Sequence, residues 1–124
     1  MGPLLKNDLF RTGIRLYSRN EFFEAHEVLE DLWRSSKSPE RLFLQALIHF
    51  AVGFYHVQRG NLVGAERQLR KGLRKLAGYL PQYQGLDTAR LFDQGQVCLH
   101  EMAAGERPAI TPQIVRIGTQ STVV

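Results

Sequence analysis

The chain has 124 residues, 44% of them hydrophobic, a single cysteine and a formal net charge of +4. That length suits one compact domain able to bury roughly two-thirds of its unfolded surface, and the lone Cys98 excludes an internal disulfide and fits a reducing cytoplasm. The most apolar stretch, Leu42 to Val57, is broken by Gln45, His49 and His56 and falls short of the roughly 20 apolar residues of a membrane span, while Met1 to Lys6 is too short and too soon polar for a signal peptide; a soluble, cytoplasmic protein is expected.

Apolar periodicity predicts five helices. The first runs from about Asp8 to Arg19 and the second from about Glu21 to Ser35, across a tight Arg19-Asn20 junction. Ser38-Pro39-Glu40 supplies a cap residue, a proline at the first helical position and an acidic first turn for a third helix lasting to about Arg59. Gly60-Asn61 ends it. The fourth helix extends to about Ala77, where Gly78 and Pro81 stop it. Asp87 or Thr88 then caps a fifth helix ending near Gly105. Residues 1–105 form the expected helical domain, and 106–124 an extended or mobile tail.

A shift of 40 residues aligns Gly13 with Gly53, Asn20 with Gly60, Phe22 with Leu62, Ala25 with Ala65 and Leu29 with Leu69. Both copies read as helix, tight turn, helix, in the style of tetratricopeptide repeats. The expected fold class is all-α: two stacked helix-turn-helix hairpins plus a fifth helix and an extended C-terminal tail.

The second helix places polar residues where the core should be. At about 100° per residue, Glu24, Glu27, Asp31 and Arg34 share one arc, whereas His26 and Glu30 fall among Phe22, Phe23, Leu29 and Trp33. Desolvating an imidazole and a carboxylate is costly unless they satisfy each other or a third group, so a buried or half-buried site is expected there. The third helix is apolar almost all round and therefore central. On it Gln45, His49 and His56 lie on one stripe beside Val52, with Gly53 at its side, where a missing side chain permits close helix approach or leaves room for a ligand. Antiparallel packing of the second and third helices would gather His26, Glu30, Gln45, His49 and His56.

Three readings of that cluster compete. It can be a register-fixing polar network; it can hold zinc, iron or manganese through His26, Glu30 and His56; or it can line a pocket for a small polar or anionic ligand with Arg41 or Arg59 at its edge. The string His26-Glu27-x-x-Glu30 lacks the second histidine of the zinc-protease pattern, and Glu27 falls on the solvent arc. A Gly-rich phosphate loop, a nucleophile elbow and a CxxC pair are absent from the sequence. Cys98 reads as a small core residue, and His100 as exposed.

On the fourth helix Arg67, Arg70, Lys71, Arg74 and Lys75 occupy one arc and Leu62, Ala65, Leu69, Leu73 and Leu76 the opposite one. The basic arc is either a plain solvated face or a contact for nucleic acid, an acidic protein or an anionic membrane surface. It carries no aromatic residue, so base stacking is not indicated.

Taken together, Phe23-Glu24-Ala25-His26-Glu27-Val28-Leu29-Glu30-Asp31-Leu32-Trp33, then Leu44-Gln45-Ala46-Leu47-Ile48, Tyr55-His56-Val57-Gln58-Arg59-Gly60-Asn61 and Gly64-Ala65, resemble the small all-helical proteins grouped as domain-of-unknown-function family 309. The resemblance covers about residues 8 to 77. It implies a compact helical bundle without an established activity, its pattern carried here by His26, Glu27, Glu30, Trp33, Gln45, His56, Gly60 and Asn61; His49 is less typical of it. The functional expectation is a ligand-binding or protein-interaction module without a cofactor, its partner a protein or small molecule. The alternative is a metal-dependent, hydrolase-like enzyme using a divalent ion at the same cluster.

Overall fold

The computed structural model describes residues 2–118. Five helices follow one another: α1 (Asp8–Ser18), α2 (Phe22–Ser35), α3 (Glu40–Gln58), α4 (Leu62–Leu76) and α5 (Thr88–Ala103), with single 3₁₀ turns at Pro3–Lys6 and Ala77–Tyr79. Each helix packs on the next along the chain. Among the described residues there is no strand, only the isolated bridges Tyr83 to Leu86 and Leu86 to Arg116. The expected all-α class is what the chain adopts.

Local chemistry sets most boundaries. Asn7, Asn61 and Asp87 each accept a backbone N–H through the side chain at the start of α1, α4 and α5, satisfying donors that a helix leaves unpaired. The start of α3 departs from expectation: Pro39 is its flanking residue and no side chain caps it. Ser38 does not fill that role, and the Arg41 amide is instead satisfied by the Lys37 carbonyl at 3.0 Å.

The α1–α2 and α3–α4 hairpins repeat one another at the 40-residue offset. Asn20 (φ 62°) and Gly60 (φ 76°) both take the left-handed conformation that closes a helix, and glycine or asparagine is suited to it because other side chains are strained there. The closing bonds match as well: Glu21 N–H to Leu16 O at 2.9 Å and Asn61 N–H to His56 O at 2.8 Å. Gln58 donates to the Asn20 carbonyl at 2.7 Å, tying the two turns together at one end of the bundle.

The central position of α3 follows from its composition. Phe43, Leu44, Leu47, Phe50 and Ala51 are fully buried between α2 on one flank and α4 on the other. Burying each large apolar side chain contributes about 1.5–3 kcal/mol.

Of the expected 106–124 tail, residues 106–118 are described; they are non-helical and packed against the bundle. The remainder lies outside the described residues. Ile114 and Val115 are buried, Tyr17 donates its buried hydroxyl to Pro112 O at 2.8 Å, and the Gln113 amide donates to Gln94 Oε1 at 2.8 Å. Asp87 N–H to Val115 O at 2.9 Å and Ile117 N–H to Gly85 O at 2.8 Å fasten its far end. The segment thus straps α1 to α5 and covers Cys98, whose thiol donates to Ile110 O at 3.2 Å and is pushed up to about 12 by burial and then by Glu101. No described helix is long and apolar enough to cross a membrane.

Candidate functional site

His26 Nε2 lies 3.2 Å from Glu30 Oε2, the spacing of two residues one turn apart on α2. The pair is half-buried. His26 keeps 24% and Glu30 36% of its side-chain surface, and the other carboxylate oxygen takes Arg34 at 3.1 Å, which also binds Asp31 at 2.7 Å. His26, Glu30, Arg34 and Asp31 therefore form a chain of polar contacts along a half-open face; the expected half-buried His26–Glu30 pair is present, but no histidine of α3 joins it.

The five candidate residues divide between two neighbours. His56 stays beside α2: with Phe23, His26, Val52 and Tyr55 it lines a shallow apolar groove between α2 and α3. His49 goes to α4. Its Nδ1 meets Gln68 Oε1 at 2.8 Å and its Nε2 meets Lys75 Nζ at 2.8 Å. Gly53, one turn further along, also faces α4, where an added Cβ would lie 3.4 Å from Ala65 O. Angle alone does not separate them, since His49 and His56 lie only about 20° apart round the helix; their partners do, Gln68 and Lys75 of α4 for His49 and Asn61 of the α3–α4 turn for His56. Gln45 is half-buried on α3, and its side chain makes no hydrogen bond among the described residues.

His56 is fixed by the turn that follows it. Asn61 Oδ1 is committed to the Gly64 amide at 2.9 Å, so the Asn61 side-chain nitrogen is the atom 3.4 Å from His56 Nδ1. An amide nitrogen can only donate, so Nδ1 accepts and Nε2 carries the proton. Gly60 and Asn61 thereby close α3, cap α4 and orient the imidazole at the groove.

Arg41 is not at a pocket edge. Its guanidinium lies 3.9 Å from the centre of the Trp33 ring and donates to the Trp33 and Ser36 carbonyls at 2.9 and 3.2 Å. A cation there adds a donor to carbonyls at the end of α2 and complements its dipole. Among the described residues Trp33 Nε1 is buried without a partner. Arg59 does reach the groove, 5.8 Å from the centre of the Tyr55 ring. Periodicity gave no sign of the Arg41–Trp33 stack, since the two residues belong to different helices.

Among the described residues no group of three or more His, Cys, Asp or Glu side chains is placed to hold a metal ion. The set His26, Glu30 and His56 is not assembled as a metal centre.

The apolar wall of the groove is aromatic. Phe23 is 44% exposed and its ring lies 5.4 Å from Tyr55 and 5.8 Å from His26. Its neighbour Phe22 is buried, 5.2 Å edge-on from Tyr17 and 5.9 Å from Phe54. Phe22 thus serves the core and Phe23 the surface. The helix-wide pattern Glu24, Glu27, Glu30, Asp31 against Arg34 leaves α2 acidic.

The family model described as Domain of unknown function (DUF309) matches residues 10–68. Over that segment the chain is similar to this family. The match spans α1 to the first half of α4, so every residue of the groove lies inside it, whereas Arg70, Lys71, Arg74 and Lys75 lie beyond it. No curated protein matches the chain.

Proposed function

We propose that this chain is a protein-interaction module whose contact face is the α2–α3 groove, and that it takes an apolar or aromatic side chain flanked by basic residues. The observation that carries this reading is Phe23, a large aromatic left 44% exposed beside Tyr55 and Val52 while Phe22 alone fills the core. Aromatic anchors seated in apolar recesses dominate binding energy at protein interfaces. His26 and His56 flank the recess with polar nitrogen atoms, and the acidic arc of α2 borders it, which selects for positive charge next to the anchor.

Differential phage display tests the reading. Peptides selected on the wild-type chain should share one bulky apolar residue with lysine or arginine nearby, and should lose at least about tenfold in affinity, about 1.4 kcal/mol, on Phe23→Ser. The melting temperature of that variant should stay within a few degrees, since Phe23 contributes little to the core. Peptides that bind Phe23→Ser as well as wild type would place the contact face elsewhere.

A further inference from the structure

We propose that the outer face of α4, with His49 of α3 at its edge, binds the phosphate backbone of duplex nucleic acid through Arg67, Lys71, Arg74 and Lys75. The proposal goes beyond the groove and does not depend on it.

Charge is the first observation. Of the 16 basic and 12 acidic residues in the chain, α4 holds five basic ones and a single acid, Glu66. That helix alone accounts for the net charge of +4, and the rest of the chain sums to zero. Glu66 is spent on Arg70 at 2.6 Å. Among the described residues no carboxylate lies within ion-pair distance of Arg67, Lys71, Arg74 or Lys75. Arg67, Lys71 and Arg74 are exposed.

The second observation is the contact between Lys75 and His49. An ammonium can only donate, so its 2.8 Å approach to Nε2 requires a lone pair there. The imidazole is therefore neutral, with its proton on Nδ1 donated to Gln68 Oε1. A lysine whose partner is an imidazole nitrogen is oriented without being neutralised. Burial lowers the pKa of Lys75, as do Lys71 and Arg74; burial lowers that of His49 against the opposing effect of Gln68, and Lys75 and Lys71 add to the depression. The helix packed on the other flank of α3 keeps its own groups, His26, Glu30 and Arg34, in contact with each other, and none of them bears on His49. The fold holds positive charges together and supplies no anion.

The third is shape. From Arg67 to Lys75 the helix rises about 12 Å, long enough to follow several consecutive phosphates. The apolar arc of α4 is committed to the core through Ala65, Leu69, Leu73 and Leu76, so it is unavailable for insertion into a lipid surface. The absence of aromatic residues on the basic arc leaves backbone contact without base stacking.

Binding of a labelled mixed-sequence DNA duplex to the full chain, followed by fluorescence anisotropy from low to moderate salt, tests this. Four phosphate contacts give a slope of log K against log salt of about −3.6, or about 150-fold weaker binding between about 50 and 200 mM. Lys71→Gln with Arg74→Gln should halve the slope to about −1.8, while Arg15→Gln with Arg107→Gln, which removes the same charge elsewhere, should leave it unchanged. Bound phosphate also favours a charged His49, so saturating duplex should raise the pKa read from the His49 imidazole by NMR, and affinity should grow as pH falls. No binding at low salt, equal losses in the two double variants, an unmoved His49 titration, or capture by phosphatidylserine vesicles without duplex binding would each overturn the proposal.

Discussion

Replacing Glu30 with alanine distinguishes a desolvated cluster from a half-open chain of polar contacts by magnitude alone. Removing one partner from a buried pair strands the other and costs about 3–5 kcal/mol. In the folded chain, however, Glu30 keeps 36% of its side-chain surface and holds His26 and Arg34 at 3.2 and 3.1 Å, each one turn away on the same helix. Exposed pairs of that spacing contribute about 0.3–0.5 kcal/mol apiece, and alanine returns a few tenths through helix propensity. Arg34 also keeps Asp31 at 2.7 Å. The expected loss is therefore below about 1 kcal/mol at low salt, and smaller still near 1 M salt, where the screening length falls to about 3 Å. Urea unfolding of Glu30→Ala and wild type at neutral pH, in low and high salt, measures the difference. A loss of about 3 kcal/mol or more that persists in high salt would refute the half-open description and restore a desolvated His–Glu site.

Tyr17→Phe removes the buried hydroxyl from Pro112 O and leaves that carbonyl unsatisfied, which should cost about 1–3 kcal/mol and lower the melting temperature by several degrees; an unchanged transition in calorimetry would deny that the 106–118 strap is docked through it. Burial, with Lys75 and Lys71, holds the His49 imidazole below its ordinary range, so below about pH 6.5 the unfolded chain binds more protons there than the native one and stability rises with pH. This contribution is intact above the unfolded value and is lost as pH falls toward the folded one. Melting curves between about pH 5 and 7 should accordingly be flatter for His49→Gln than for wild type, and identical slopes would contradict the neutral, Lys75-bound ring.

The helices were legible because their ends carry chemistry that acts locally. Asn20, Gly60-Asn61 and Asp87 mark turns whatever surrounds them, and the 40-residue offset between Asn20 and Gly60 reappears as paired left-handed closures. Elements that depend on tertiary partners were not legible in the same way. The 106–118 segment has the prolines and short β-branched run of a loose tail, yet Ile114 and Val115 are buried against the bundle, in surroundings that exist only after folding. Periodicity also located the polar stripe on α3 without showing which neighbour each residue would meet. Arg41 looked like a pocket-edge cation because nothing local reveals that its guanidinium completes the far end of another helix.

The splitting of that stripe has a functional consequence. His49 and His56 lie two turns apart on one helix, yet one faces the basic helix α4 and the other the acidic helix α2, where four carboxylates stand against Arg34. A phosphate polymer attracted to α4 is repelled by α2, and a partner with basic residues is drawn the other way. The two proposed surfaces therefore compete for no ligand, although both use α3 as their wall. They also differ in what holds them: phosphate contacts weaken steeply with salt, whereas a side chain seated against Phe23, Val52 and Tyr55 relies on apolar burial, which salt does not screen. Raising the ionic strength should strip nucleic acid from α4 and leave the groove occupied, so each surface can be assayed on the intact chain without disabling the other.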